Sequence, residues 1–122
     1  MNTCKFFVSI GISEGYFHEN KKFDILEINK LWQNEAEIIY KNDGIYISAI
    51  ANYSYAIYSK NWGCPESGEK TVSFSGSANP EFINDINKWK ETVLKICQKM
   101  KEILKQSTIT VEFVNCEIFY LK

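Results

Sequence analysis

Arginine is absent from this chain, and all 14 of its basic residues are lysines. Guanidinium forks, which grip phosphates, carboxylates and guanine edges through two parallel hydrogen bonds, are therefore missing. The formal net charge is -1, so the chain also lacks the positive excess that releases counterions from a nucleic-acid backbone. We predict that nucleic acid is not a partner of this protein.

Histidine and paired cysteines are also scarce. The only histidine is His18, and no two of the four cysteines stand in C-x-x-C spacing. Zinc sites are built from closely spaced Cys and His ligands, so the sequence predicts no metal site. The chain carries no cofactor-binding motif either, and we predict no cofactor.

Long hydrophobic runs are missing as well. No stretch approaches the ~20 apolar residues of a membrane-spanning helix, and no small-residue cleavage site follows the short apolar run near the N-terminus. Hydrophobic residues nevertheless make up 45% of the 122 residues, which is enough for one folded core. We predict a single α+β domain over 1-122, with reduced cysteines, in the cytoplasm and with no membrane partner.

Hydrophobic patterns give the order of the elements. Strand-like alternation runs through four segments, and a helical apolar period runs through two. Asp24 and Asn79 have side chains that cap helix N-termini well, and Pro80 suits the first helical position. The predicted strands are 5–12, 45–58, 71–77 and 108–120, and the predicted helices are 24–41 and 79–104, the second with Phe82 in its apolar stripe.

This β-α-β-β-α-β order is similar to the ferredoxin-like arrangement, a two-layer α+β sandwich. The apolar phases of all four strands can meet both helix stripes. They predict a four-stranded antiparallel sheet in the order 4-1-3-2 with two helices on one face. The hydrophobic phase changes between Phe113 and Cys116, which predicts a β-bulge near Val114 and Asn115.

Two polar loops are predicted to meet at one end of this sheet. Strands one and two are parallel in a right-handed βαβ unit, so the loops 13–22 and 59–70 leave from the same edge. The second helix runs back to that edge and brings its last residues alongside. Loops held by a rigid scaffold commonly carry binding groups. The candidate ligand-binding residues are Tyr16, His18, Trp62, Cys64, Glu66, Glu69 and Gln106.

These residues form no recognised catalytic set. The stretch GCPESGEKT approaches a phosphate-binding loop, but Glu69 precedes the lysine and a strand follows where a helix should begin. Cys64 and His18 could meet, but the flanking Glu66 and Glu69 disfavour a reactive thiolate. We therefore predict no catalytic residue.

The second candidate surface is the sheet face turned away from the helices. Its predicted side chains are small hydroxyls with a few aromatic and aliphatic groups, and no charge occurs until Glu112. Such a face suits packing against another surface, and we predict a homodimer through it, with a hydrated Ser/Thr-rich face as the alternative. The candidate interface residues are Phe7, Tyr46, Ser48, Ile50, Ser73 and Ser75.

Two functional classes follow from these patterns. A small acidic domain without a nucleophile, general base or cofactor motif favours a non-catalytic binding protein of the inhibitor, immunity or ligand-sequestering type. Such a protein would act through the outer sheet face or through the loop end, 13–22 and 59–70. The alternative is a small enzyme with an active site built from the same loops and completed across a dimer. The sequence leaves open which protein or small molecule is bound.

Overall fold

The computed structural model describes residues 1–12 and 24–122. Within them, four strands and two α-helices follow the order β-α-β-β-α-β. The elements are β1 (Asn2–Gly11), α1 (Ile25–Asp43), β2 (Ile50–Ala56), β3 (Glu69–Ser77), α2 (Ile86–Ile103) and β4 (Val111–Glu117), with a 3-10 turn (Lys60–Trp62) between β2 and β3. The predicted ligand-binding residues Tyr16 and His18 lie outside the described residues.

The sheet has the predicted topology. Its order is β2-β3-β1-β4, and each neighbouring pair is antiparallel. Phe6 of β1 packs against Trp32 of α1 and against Trp89 of α2, so both helices cover the same face. The prediction of a ferredoxin-like α+β fold is confirmed. We call the side that the helices cover the inner face, and the opposite side the outer face.

The ends of α1 follow from its sequence. The Asp24 carboxylate accepts a hydrogen bond from the Glu27 backbone N–H at 2.9 Å and caps the N-terminus. Gly44 closes the helix at φ 75°, a left-handed conformation that glycine adopts without steric cost. Trp32 and its neighbours on the same stripe are buried against the sheet.

The second helix begins later than predicted. Asn79-Pro80 forms a separate turn, and α2 starts at Ile86 because the Asp85 carboxylate accepts from the Lys88 backbone N–H at 3.1 Å. Phe82, predicted to belong to the apolar stripe, is instead 80% exposed. No helix in the described part of the chain is long and apolar enough to cross a membrane.

The core lies between the helices and the inner face. The Trp32 ring stacks on Phe6 with 5.8 Å between ring centroids and on Phe74 with 4.3 Å. The Trp89 ring contacts the rings of Phe6 and Phe113, with 6.0 Å between ring centroids in each pair. Because each tryptophan buries a large apolar area against the sheet, the two together fix both helices on it.

The second strand is shorter than predicted. Residues 45–49 are irregular, and the Ile47 carbonyl accepts the Trp32 indole N–H at 3.2 Å within the core. The strand begins only at Ile50. Tyr46 and Ser48, predicted to lie on the outer face, therefore line a cavity beside α1 instead.

The last strand pairs with β1 in one unbroken register. The predicted bulge near Val114 and Asn115 is therefore wrong. Phe113 faces the core opposite Phe6, whereas Cys116 faces outward, so the change of hydrophobic phase reflects apolar side chains on both faces of a regular strand.

Candidate active site

The end of the sheet where β1 stops and β3 starts brings together a carboxylate, an amide and a phenol. Glu69 is the first residue of β3, Tyr58 follows β2, and Gln106 follows the C-terminus of α2. The Glu69 and Gln106 side chains reach Gly11, the last residue of β1, and Tyr58 reaches Glu69. We call these four residues the Glu69 site.

Gly11 leaves the space in which two side-chain oxygens come together. A Cβ atom built on Gly11 would lie 2.6 Å from Gln106 Oε1 and 2.8 Å from Glu69 Oε1. Only glycine fits under both groups without displacing them. Both oxygens are able to accept hydrogen bonds. Within residues 1–12 and 24–122, no donor forms a hydrogen bond with either of them. This spot therefore suits a ligand that carries N–H donors or a positive charge.

Hydrogen bonds fix the orientation of both acceptors. Gln106 Nε2 donates to the Leu104 carbonyl at 3.1 Å, which determines the end of the amide that carries the free oxygen. Tyr58 OH donates to Glu69 Oε2 at 3.3 Å and leaves Oε1 available. Lys105 has a left-handed φ of 53°, which ends α2 and positions the turn carrying Gln106. The two acceptors are thus held in place before any ligand arrives.

The Glu69 carboxylate is half-buried and has no basic side chain as a partner in the described part of the chain. The ion pairs found there involve Asp43, Glu66 and Glu102 instead. A carboxylate that is partly withdrawn from water and not neutralised by a lysine attracts a cation. The Glu69 site therefore favours a positively charged ligand.

A row of four hydroxyls crosses the outer face next to the Glu69 site. Ser54 Oγ lies 2.5 Å from Thr71 Oγ1 and 2.6 Å from Ser73 Oγ, and the Ser73 hydroxyl donates to Ser9 Oγ at 3.3 Å. Such cross-strand pairs stabilise the sheet. These four hydroxyls therefore form hydrogen bonds with one another across three strands. They also place small polar groups beside the Glu69 site.

The other described loop residues that the sequence predicted differ from Glu69 and Gln106 in their surroundings. Trp62 is 75% exposed, and the Glu66 side chain is 84% exposed. Cys64 is buried, and its Sγ accepts from the Tyr58 backbone N–H at 3.5 Å. Cys64 thus attaches the loop to the end of β2 rather than facing a ligand.

The four cysteines are free thiols, and three of them are buried. Burial raises the pKa of the Cys97 thiol to about 12, so this thiol is neutral at physiological pH. No group of three His, Cys, Asp or Glu side chains among the described residues could hold a metal ion.

The topology alone placed Glu69 and Gln106 at one end of the sheet, and the structure brings them together at Gly11. Sequence reasoning missed Gly11 and Tyr58 as members of the site. A glycine inside a strand pattern is itself a signal of close approach, and this signal could have identified Gly11. Tyr58 carries no comparable signal, because tyrosine is common in strands.

Two solved structures share this fold. A phage SAM lyase in complex with S-methyl-5'-thioadenosine is 17% identical, with a TM-score of 0.55 over 93% of this chain and 79% of that chain. A phage SAM lyase in the apo state is 14% identical, with a TM-score of 0.57 over 93% of this chain and 79% of that chain. At these identities the likeness establishes the fold alone. No curated protein matches the chain.

The family model described as SAM lyase matches residues 1–122. SAM lyases are enzymes, so the prediction of a non-catalytic binding protein is wrong, and the alternative prediction of a small enzyme is the better one. The absence of a nucleophile, a general base and a cofactor motif from the sequence does not exclude catalysis, because a substrate can carry its own reacting groups. With all of its 122 residues matched, this chain belongs to the SAM lyase family.

Proposed function

We propose that this protein cleaves S-adenosylmethionine and releases S-methyl-5'-thioadenosine. The match of the SAM lyase family model to residues 1–122, which include the Glu69 site, carries this proposal. The similar phage SAM lyase was solved in complex with S-methyl-5'-thioadenosine. This thioether is what remains of S-adenosylmethionine when the bond between sulfur and Cγ of the methionine part breaks.

The charge of the substrate matches the charge of the Glu69 site. The methionine part of S-adenosylmethionine carries a sulfonium and an α-ammonium group. The ammonium offers N–H donors, and Glu69 Oε1 and Gln106 Oε1 converge on Gly11 as acceptors. The Glu69 carboxylate also balances the positive charge of the ligand. We assign these two residues to the recognition of the ammonium group.

A lyase breaks the Cγ–S bond without water. Two reaction routes account for every atom, electron pair and proton. In the first, an oxygen of the substrate's own carboxylate bonds to Cγ while the electron pair of the Cγ–S bond stays on sulfur. The products are the neutral thioether and homoserine lactone, and no proton is transferred. In the second, a base removes a Cβ proton, the C–H electron pair forms the Cβ=Cγ double bond, and the products are the same thioether and vinylglycine.

We propose the first route for this protein. The substrate carries its own nucleophile, so the protein has only to hold the methionine chain in the folded conformation that brings carboxylate and Cγ together. Contacts of Glu69 and Gln106 to the ammonium leave the substrate carboxylate free to attack. Glu69 Oε2 accepts from Tyr58 at 3.3 Å, and Oε1 is assigned to the ammonium, so on this assignment Glu69 orients the substrate rather than serving as a base.

A product assay tests the proposed function. Purified protein is incubated with S-adenosylmethionine, and the nucleosides are separated by chromatography. We expect one S-methyl-5'-thioadenosine for each S-adenosylmethionine consumed. A preparation from the same host without this chain is the control for contaminating activities. Release no faster than in the control would contradict the proposal.

Labelled substrate separates the two routes. S-adenosylmethionine with deuterium at both Cβ positions keeps both labels in the lactone, whereas elimination loses one label to solvent. Mass spectrometry of the amino-acid product measures the label that remains. Loss of one deuterium would overturn the first route and leave the lyase function standing.

The cytoplasm is the compartment that we propose for this activity. Its support is that all four cysteines are free thiols, as is usual for chains kept in reducing surroundings.

A further inference from the structure

The hydroxyl row on the outer face has one arrangement of protons that satisfies all of its contacts. Each hydroxyl carries a single proton to donate. The Ser73 hydroxyl donates to Ser9 Oγ at 3.3 Å, so it has no proton left for Ser54. Ser54 is therefore the donor in its 2.6 Å contact with Ser73. The proton of Ser54 is then used as well, so Thr71 is the donor in its 2.5 Å contact with Ser54.

The hydroxyl row is therefore directional, and Ser9 is its last member. The Ser9 hydroxyl accepts from Ser73 and keeps its own proton, and within residues 1–12 and 24–122 no acceptor receives that proton. Hydrogen bonds that point the same way polarise one another, which makes the last hydroxyl a better donor than an isolated serine. Thr71 and Ser73 are buried, whereas Ser9 is half-buried, so the free donor lies at the open end of the row.

The free Ser9 donor lies beside the two free acceptors of the Glu69 site. Ser9 and Gly11 are two positions apart in β1, so they stand on the same face of the sheet, about 7 Å from each other along the strand. The acceptors Glu69 Oε1 and Gln106 Oε1 converge at Gly11. One donor and two acceptors thus meet at this end of the outer face, and none of the three is engaged by another described residue.

We propose that the Ser9 hydroxyl donates to the α-carboxylate of the ligand whose α-ammonium group binds Glu69 and Gln106. A carboxylate is the acceptor that gains most from a polarised hydroxyl, because hydrogen bonds to an ionised group are the stronger ones. In an α-amino acid the ammonium and the carboxylate are bonded to the same carbon atom. An ammonium held at Gly11 can therefore have its carboxylate hydrogen-bonded to Ser9. The site then recognises a complete amino-acid zwitterion rather than a positive charge alone.

The identification of this zwitterion with the methionine part of S-adenosylmethionine rests on the proposed function. The free proton of Ser9 rests on the hydrogen bonds of the row alone. On the proposed route, the carboxylate oxygen that accepts from Ser9 becomes the carbonyl oxygen of the lactone, and the other oxygen bonds to Cγ. Ser9 thus orients the nucleophile and transfers no proton.

Two ligands that differ only in the carboxylate test the proposal. S-adenosylhomocysteine carries the amino-acid group but no sulfonium to cleave, and its decarboxylated counterpart keeps the ammonium alone. Isothermal titration measures both ligands on the wild type and on Ser9→Ala. We expect the wild type to prefer S-adenosylhomocysteine. In Ser9→Ala its binding should weaken about tenfold or more, as for the loss of a hydrogen bond to a charged group, while binding of the decarboxylated counterpart should stay unchanged.

The matched control is Ser77→Ala. It makes the same change at an exposed position on the outer face of β3, outside the hydroxyl row, and should keep both affinities. Equal weakening of both ligands in Ser9→Ala would overturn the proposal, because the lost contact would then not involve the carboxylate. Unchanged binding of S-adenosylhomocysteine to Ser9→Ala, or no preference for it in the wild type, would overturn the proposal too.

Two conservative variants separate the hydroxyl from the shape of the side chain. Ser9→Thr keeps the hydroxyl and should keep the preference for the carboxylate. Ser9→Cys is nearly equal in size to the wild type, but a thiol is a weak donor, so it should lose the preference as Ser9→Ala does. The ratio of the two affinities is measured on one variant at a time, so a change in the folded fraction affects both ligands alike. A wild-type ratio in Ser9→Cys would contradict the proposal.

These binding experiments do not depend on catalysis. If Ser9→Ala loses only the carboxylate-bearing ligand but the wild type forms no S-methyl-5'-thioadenosine, the proposed function fails and the assignment of Ser9 stands. If the wild type cleaves S-adenosylmethionine but Ser9→Ala binds both ligands as the wild type does, the assignment of Ser9 fails and the proposed function stands.

Discussion

The inner and outer faces of the sheet belong to the same strands but use their side chains differently. The inner face is apolar, and Phe6, Val8 and Phe74 are buried in it against the two helices. The outer face carries hydroxyls that pair across strands, and it ends at the half-buried Glu69 and Gln106. The comparison separates the parts of the molecule that determine stability from those that we propose to contact the ligand.

The largest effect on stability is expected at the inner face. Trp89 is 3% exposed and contacts Phe6 and Phe113, so Trp89→Ala should lower the free energy of unfolding by about 3–5 kcal/mol. Chemical denaturation measures this loss. The control Phe82→Ala removes a ring that is 80% exposed and should change it by about 0.5 kcal/mol or less. A loss below about 1 kcal/mol for Trp89→Ala would place the core elsewhere.

At the outer face, Gly11→Ala should affect activity more than stability. The new Cβ would meet Glu69 and Gln106 at the ends of flexible side chains, which can move aside and so lose their common position. We expect kcat/KM for S-adenosylmethionine to fall by about 10²-fold, the effect of a small misplacement in an active site.

The matched control for Gly11→Ala is Gly44→Ala. A Cβ atom on Gly44 would meet no atom within 4 Å, but the residue has a left-handed φ of 75°. The substitution should cost about 1 kcal/mol of unfolding free energy through backbone strain and leave kcat/KM unchanged. If both variants reduced kcat/KM equally, Gly11 would have no special part in the site.

Self-association through the outer face remains a prediction. Ile50 is 72% exposed on that face, and Ile50→Lys should weaken a homodimer because it would bury an unpaired charge. Sedimentation at several concentrations compares the variant with the wild type. A wild-type protein that stays monomeric at high micromolar concentration would remove the basis for this prediction.

A small stability effect is expected in the loop. Trp62 is 75% exposed, so Trp62→Ala should change the free energy of unfolding by less than about 1 kcal/mol. We predict that the same variant lowers activity, because an exposed indole offers a large contact surface to a ligand. A loss of several kcal/mol in denaturation would instead make Trp62 part of the folded core.

Much of the inner face could be predicted from sequence, because buried residues recur at the spacing of the strand or helix that carries them. The alternation through β1 and the helical spacing of Trp32 and Trp89 were sufficient for the topology. The details that failed were local: Asp85 competes with Asn79 as the helix cap, and Ile45 and Ile47 are buried although residues 45–49 form no strand. Hydrophobic alternation alone does not distinguish these cases.

The site at the outer face could be predicted only in part. Topology brings Glu69 and Gln106 to one edge, but the convergence of their oxygens on Gly11 depends on side-chain torsions that have no sequence period. On the proposed route the substrate carries both nucleophile and leaving group. Such chemistry requires no nucleophile–base pair in the protein, and the sequence contains no motif for one.

The central claim is that the Glu69 carboxylate recognises the cationic substrate, and a pair of charge-removing variants tests it most directly. Glu69→Gln and Glu66→Gln make the same chemical change three positions apart in the chain, but the Glu66 side chain is 84% exposed and lies outside the Glu69 site. We predict that kcat/KM for S-adenosylmethionine falls about 10- to 10²-fold in Glu69→Gln, because a hydrogen bond to a charged group contributes about 1.5–3 kcal/mol, and that Glu66→Gln stays near the wild type. Equal values of kcat/KM for the two variants would contradict the claim.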